Sequence, residues 1–318
     1  MIRSLTTAAA ALLVSTAVAS SVAAAPFSFV ALGDMPYGAP DKVYAPYEAL
    51  ISAVNERAPD LVLHVGDTKS GGASCSDRML DDQLAFMNDY AAPVIYTPGD
   101  NEWTDCHRKS AGGFDPLDRL AYIRETYFAD PATSLGAAPV AVTHQGDAGY
   151  PENTRLLHKE VMFIAAHVVG SNNNFEVRDL EAVKEFFARN AATTAWLQES
   201  FDAASDNGAK AVVLGVHADM FEFDFNKFGG EGWLRHSGFR TFGPALQKAA
   251  AEFAKPVLLV FGDSHVFRVI RPFPQKAPNV TALEVFGARD MHAVEVTVDV
   301  ATPGVFGVTP VINPALAD

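Results

Sequence analysis

Several apolar runs in this chain end in the same two residues. "FSFVALGD" runs into Gly33-Asp34, "DLVLHVGD" into Gly66-Asp67, and "APVIYTPGD" into Gly99-Asp100. Short, continuously apolar runs bounded by turn residues predict strands covered on both faces. The segments between them carry helical spacing. One helix is predicted from about Tyr44 to Glu56. Another lies in "SDRMLDDQLAFMNDY", where Met79, Leu80, Leu84 and Met87 form a stripe and Ser76 or Asp77 can cap the start. The three Gly-Asp pairs are 33 residues apart. A helical repeat array is one source of such a period, but these runs are strand-like and the period stops after the third. It is the length of a strand-helix unit, which predicts neighbouring parallel strands joined by helical crossovers. The carboxyl ends of such strands share one rim, so Asp34, Asp67 and Asp100 are expected to converge.

The pattern continues beyond the third strand. A helix is predicted from about Asp115 to Phe128, and "RLLHKEVMFIAAHVVG" reads as two strands or one sharply bent one. "GSNNNF" is a loop by composition. The stretch from Val177 to Ala204 is mostly helix, with a break expected near Asn190. "AVVLGVH" is a strand ending at His217, and residues 218–238 form an irregular, aromatic- and Gly-rich insertion. A helix follows from about Phe242 to Phe253, then a buried strand, "PVLLVFGDSH", ending in Asp263, Ser264 and His265. "VTALEVFG" and "AVEVTVDV" alternate well enough for antiparallel strands.

Composition changes the picture at the amino terminus. Residues 1–25 carry one charge, Arg3, followed by Ala-, Ser- and Thr-rich apolar sequence with small residues at Ala23 and Ala24. That is the layout of a secretory signal peptide, and it is too weakly apolar for a membrane-spanning helix. Export to the periplasm or medium is therefore expected, with no membrane span after cleavage. Residues 26–318 are expected to form a single domain, because no linker or low-complexity segment divides them. The net charge of −14 excludes nucleic-acid binding through a general basic surface. Two cysteines, Cys75 and Cys106, in an exported chain suggest a disulfide.

The candidate chemistry lies at the strand ends: Asp34, Asp67, Asp100 with Asn101, His217, and Asp263 with His265. A single Gly-Asp after a strand is ordinary turn chemistry. The ordered set is different, because converging carboxylates repel one another unless a cation offsets them. Carboxylate and imidazole donors suit Mn, Fe, Zn or Mg.

In order and strand context the stretches "GDMP", "GDTK", "GDNE", "GVHAD" and "GDSH" resemble the motifs of the calcineurin-like metallophosphoesterases, a superfamily that includes purple acid phosphatases. The resemblance implies a mixed α/β fold, a four-layer αββα sandwich with helices on the outer faces of two mixed sheets. It also implies two metal ions and a metal-activated water that attacks a small phosphoester substrate. Asp34 and His265 would hold one ion, Asp67 would bridge, and Asp100, His217 and Asp263 would hold the second. Pro36 stands where the family has a metal-binding His, and Asp263 replaces another His. Either Asp100 or Asn101 supplies the ligand that is an Asn in the family. Asn101 otherwise stands at the His that protonates the leaving group, and His107 and Asp105 are nearby substitutes, though each reads as a surface polar residue. Lys69 is either a phosphate-binding cation or a solvated loop residue. Arg289, Asp290 and His292 read as an ordinary polar turn, and His64, His158 and His167 as hydrogen-bonded core residues. The altered motifs leave a second reading, a metal- or phosphate-binding protein that has kept the fold without the turnover.

Overall fold

A computed structural model describes residues 25–221 and 237–316. The signal-like segment, apart from its last residue, and most of the 218–238 insertion lie outside the described residues. Strands and helices are numbered along the chain. One sheet contains β1 (Phe27–Leu32), β2 (Leu61–His64), β3 (Val94–Tyr96), β11 (Ala293–Val298) and β12 (Phe306–Val311), in the order β12-β11-β1-β2-β3. The other contains β4 (Thr143–Gln145), β5 (Tyr150–His158), β6 (Val161–Ala165), β7 (Ala211–Gly215), β8 (Val257–Phe261), β9 (Arg268–Ile270) and β10 (Val280–Glu284), in the order β4-β5-β6-β7-β8-β10-β9. In the first sheet β1, β2 and β3 are parallel. In the second β6, β7, β8 and β10 are parallel. Antiparallel strands close both edges of the second sheet and the β12 edge of the first, whose other edge strand, β3, is parallel to β2.

The two sheets stack face to face between two helical layers. Phe29, Ala31 and Leu63 of the first sheet pack on Phe163, Val213 and Leu258 of the second. The alternate residues Val30, Leu32 and Val62 point outward, onto Tyr47, Leu50 and Val54 of α1 (Pro40–Glu56), Leu80 and Phe86 of α2 (Asp77–Asn88) and Ile123 of α3 (Pro116–Thr126). On the far side Ile164, Leu214 and Leu259 meet Trp196 and Leu197 of α4 (Leu180–Asp206) and Phe242 and Leu246 of α5 (Phe242–Phe253). Both faces of each central strand are therefore covered, which is why their sequences are apolar throughout instead of alternating. The layering is the αββα sandwich that the family resemblance implied.

Several boundaries differ from expectation for local reasons. Pro40 occupies the first turn of α1, where its missing N–H is harmless, so the helix starts earlier than Tyr44. The carboxylate of Asp115 accepts from Leu117 N at 2.8 Å, making it the cap of α3 and not its first residue. Ser76, not Asp77, caps α2. Helix α4 runs unbroken through Asn190, which is buried on its inner face. Strand β10 pairs parallel to β8, antiparallel only to β9, so the alternation in "VTALEVFG" misjudged its neighbour. The two-strand reading of "RLLHKEVMFIAAHVVG" holds, with Lys159 and Glu160 turning in left-handed backbone. No helix among the described residues is long and apolar enough to cross a membrane.

Buried polar groups tie the second sheet to the helices around it. Glu152, fully buried, accepts from His167 Nδ1 at 2.8 Å and pairs with Arg124 at 2.5 Å. Burial raises the Glu152 pKa, but the His167 hydrogen bond and the nearby positive charge outweigh it and bring the group to about 2. Burial, reinforced by Arg189, brings His167 down to about 4. Both folded values lie below the unfolded ones, so the unfolded chain takes up protons first as pH falls. The His167 contribution is complete above about 6.5 and lost as pH falls toward 4. The Glu152 contribution is complete above about 4.5 and lost toward 2. The two contributions share the His167–Glu152 hydrogen bond and are not additive. Urea midpoints measured from pH 7 to pH 3 should therefore fall with acidity, and His167→Gln should flatten the decline above pH 5.

Candidate metal centre

The central parallel strands of both sheets end at one rim, and the chain turns sharply there. Asp34, Asp67, Asp263 and His265 have φ of 57°, 55°, 78° and 62°, left-handed values that cost a residue with a Cβ about 1–2 kcal/mol. The turn aims each side chain across the strand ends. Asp34 N donates to Gly66 O at 3.0 Å, joining the β1 and β2 ends. Asp263 N donates to Asp34 Oδ1 at 3.1 Å, joining the two sheets. Glycines make the close approach possible. A Cβ at Gly99 would lie 2.1 Å from Asp67 Oδ1, and one at Gly262 would lie 2.2 Å from Asp34 Oδ2.

His217 is the hub of the cluster. Its Nε2 lies 2.9 Å from Asp100 Oδ1, 3.4 Å from Asp67 Oδ1 and 4.0 Å from Asp263 Oδ1. Its Nδ1 is 2.8 Å from Val65 O, so a proton on Nδ1 donated to that carbonyl turns Nε2 toward the carboxylates. Asp34, Asp67 and His217 each place a donor atom within 4.8 Å of the others, and so do Asp100, His217 and Asp263. His265 stands at the open side, with Nε2 3.6 Å from Asp34 Oδ1.

The charges do not balance. Asp34, Asp67 and His217 are almost fully buried, and Asp100 nearly so. Burial pushes Asp34 up to about 7 despite relief from His217. It drives Asp67 and Asp263 well above the carboxylate range, and the Asp100 charge adds to both shifts. The His217 hydrogen bond and charge overcome burial at Asp100 and keep it ionised. The same carboxylates overcome burial at His217 and raise it well above its usual value. Without a cation, protonation is what relieves the repulsion among these carboxylates; a metal cation would let all four ionise together. Oxygen and imidazole donors are the ligand set such a cation requires, so these residues fit a metal centre.

Neighbouring segments fix the cluster from three sides. Asn101 N donates to Asp67 Oδ1 at 2.9 Å, and Asn101 Nδ2 contacts Asp67 Oδ2. Tyr37 OH donates to Asp67 Oδ2 at 2.6 Å and accepts from Asn101 Nδ2 at 2.8 Å. The Cys75–Cys106 disulfide joins the loops that follow Asp67 and Asp100, closing a sequence separation of 31 residues, worth about 3–4 kcal/mol in the chain-entropy account. Below Asp263, Asp219 N donates to Asp263 Oδ2 at 3.1 Å, while Arg268 pairs with Asp219 at 2.5 Å and Glu284 at 2.6 Å. The Ser264 hydroxyl lies between those same two carboxylates.

The third side is the "GSNNNF" loop, whose part in the site was not foreseen. Ser171 through Asn174 all have left-handed φ, from 50° to 60°. Asn tolerates this conformation better than most residues, which accounts for the Asn run in "GSNNNF". Fully buried Arg189 holds the turn, donating to Asn173 Oδ1 at 2.7 Å, Asn173 O at 3.0 Å and His167 O at 2.9 Å. The turn brings Ser171 Oγ to Asp100 Oδ2 at 2.8 Å and to Asp105 Oδ1 at 3.1 Å.

The remaining candidates divide. Asp105 is buried against Ser171 and Arg108, not a surface residue as expected, and burial with the nearby Asp100 charge lifts it to about 6. His107 is exposed, with Nδ1 2.7 Å from Thr104 O. Lys69 is 1% exposed and donates to Ser70 O and Ala73 O at 3.2 Å, so it is not a solvated lysine, and its ammonium lies under the rim loop. His64 is buried and accepts from Gly66 N, and His158 pairs with Asp60. Arg289 and Asp290 are exposed, and His292 accepts from Asn313 N. Tyr37, Ser171, Asp219 and Arg268 were missed. Tyr37 stands in "GDMPYG" and Ser171 in "GSNNNF", close to quoted features, whereas Arg268 gives no local signal.

The family model for calcineurin-like phosphoesterases matches residues 27–267. No curated protein sequence matches the chain. Among solved structures, the purple acid phosphatase PPD1 from yellow lupin (Lupinus luteus) seeds superposes with a TM-score of 0.52 at 12% identity, over 90% of this chain and 54% of that one. The chain thus spans about half the length of the lupin protein, and the likeness is one of fold. TT1561 of Thermus thermophilus aligns with a TM-score of 0.46 at 11% identity, over 90% of this chain and all of its own. The family match runs from β1 to the loop carrying His265, and the chain belongs to the calcineurin-like phosphoesterases, a family of metal-dependent phosphoester hydrolases.

Proposed function

We propose that the chain is an exported phosphoester hydrolase with a dinuclear metal centre, in which Asp34 and His265 hold one ion, Asp100, His217 and Asp263 hold the other, and Asp67 lies between them. The observation that carries this reading is the convergence of Asp34, Asp67, Asp100, His217 and Asp263 from separate strand ends into one largely buried cluster, with His265 at its open side. The oxygen-rich donor set favours Mn, Mg or Fe, with Zn also compatible. Bound there, metal ions would lower the pKa of a water and withdraw charge from phosphoryl oxygens.

The chain's own groups set the rest of the chemistry. Val65 O holds His217 in one orientation through Nδ1. Tyr37 remains a phenol at neutral pH, because burial and the Asp67 charge raise its pKa well above 10, and its hydroxyl positions Asp67. Asn101 supplies N–H donors at the rim but has no proton to transfer, so departing groups that need protonation are disfavoured. Lys69 adds positive charge from beneath. The export half of the proposal rests on residues 1–25.

Chelation should abolish hydrolysis of an aryl phosphate and an aryl phosphodiester, and added Mn²⁺ should restore it. Asp67→Asn should lower metal content and cut turnover by about 10²-fold or more. Metal-loaded wild-type protein that hydrolyses no phosphoester in a broad panel would establish the binding-protein reading instead. Asn101→His should raise the rate on alkyl phosphates at least tenfold while changing aryl phosphates less; equal effects on both would place the acid elsewhere. Expressed with its first 25 residues, the protein should be recovered outside the cytoplasm with an N-terminus near Ala25 by sequencing. Retention of the full chain in the cytoplasm would refute export.

A further inference from the structure

A cavity of about 630 Å³ lies between the rim and the amino-terminal ends of α3 and α4. Ser171 and Asp105 form its wall on the rim side, and Ser171 Oγ is 2.8 Å from Asp100 Oδ2. A single hydroxyl therefore separates this space from the carboxylate cluster. Its size is that of a small-molecule site and far exceeds the needs of a phosphate.

The wall chemistry narrows the occupant. Carboxylates of Asp105, Asp115, Glu176, Asp179 and Glu181 line the cavity, while its aliphatic lining is confined to Pro116, Leu117 and Ala182. The positive charges are already engaged. Arg108 pairs with Asp105 at 2.7 Å, Arg178 with Glu176 at 2.5 Å, and Glu181 is met by Lys184 at 2.7 Å. Asp115 and Asp179 use Oδ1 to cap the two helices, which leaves Oδ2 on each as an acceptor. A second phosphate would meet carboxylates and paired arginines, and an alkyl chain would desolvate acceptors without replacing their hydrogen bonds. Asp115 and Asp179 have no cationic partner, but each caps a helix whose positive N-terminal end offsets part of its charge, so a cationic amine gains less there than at a free carboxylate. Hydroxyl groups both donate and accept, so they can meet the free carboxylate oxygens of Asp115 and Asp179 and the N–H groups of Arg108 and Asn174 alike.

We propose that this cavity seats the alcohol half of the phosphoester, and that the alcohol is polyhydroxylated and of sugar size. The inference rests on the rim being the phosphoryl site. Calorimetric titration of the metal-loaded protein with four non-hydrolysable phosphonates tests it without requiring turnover. The methylenephosphonate analogue of glucose 6-phosphate should bind at least tenfold tighter than methylphosphonate, with hexylphosphonate and 2-aminoethylphosphonate no tighter than methylphosphonate. Glu181→Trp, which places an indole at the cavity wall, should erase the tenfold difference. The ranking on wild-type protein stands by itself if that variant does not fold. Equal affinities, or tightest binding of the hexyl or aminoethyl compound, would overturn this inference alone, as would a difference that survives in Glu181→Trp. No binding of any of the four would overturn the phosphoryl-site reading and this inference with it.

Discussion

The mutual repulsion of buried carboxylates is the constraint around which this protein is organised. Asp34, Asp67, Asp100 and Asp263 crowd around one imidazole, out of contact with most of the water that would screen them. In that setting a carboxylate either takes up a proton or finds a cation. The shifts follow that rule: the member that touches His217 most closely stays ionised, and those left without a full partner are driven upward. A cluster of this kind opposes folding, and the surrounding structure must hold it together until a cation arrives.

That burden explains where the strain and the anchors are found. Left-handed backbone recurs at Asp34, Asp67, Asp263, His265 and the Ser171–Asn174 turn, all at the rim. Three of these four stretches are braced by something rigid. The disulfide braces the Asp67 and Asp100 loops, Arg189 braces the Asn-rich turn, and the Asp219–Arg268–Glu284 group braces the loop of Asp263 and His265. The two sheets provide the platform, because their central strands are covered on both faces and cannot slide without exposing Phe29, Phe163 or Leu259.

How much of this was legible in the sequence depended on range. The strands could be read because full burial leaves them no polar positions, and the rim could be read because parallel strands must end together. The disulfide was equally accessible, whereas the layered architecture came only from the family resemblance. Cap positions and the start of α1 were displaced by single local contacts, such as Pro40 at the first turn. What stayed hidden is what only tertiary contact reveals. Arg189 and Asn190 sit in a polar stretch that resembles a helix break, yet both are buried because the Asn-rich turn and the second sheet close over them. Asp105 looks like a surface acid until Ser171 and Arg108 are brought against it. Nothing near Arg268 in the sequence announces the two carboxylates it joins, because they come from β10 and from the loop after β7.

The glycines carry a consequence for how the site is counted. Gly99 abuts Asp67, Gly262 abuts Asp34, and a Cβ at Gly170 would lie 2.5 Å from Asp100 Oδ1 and 2.7 Å from Asp263 Oδ1. Every carboxylate in the cluster thus leans against a position where no side chain exists. A list of donors therefore understates the information the centre contains. Grafting Asp34, Asp67, Asp100, His217 and Asp263 onto another scaffold would reproduce the donors and not the centre, because the space they converge into is shaped by atoms that are missing.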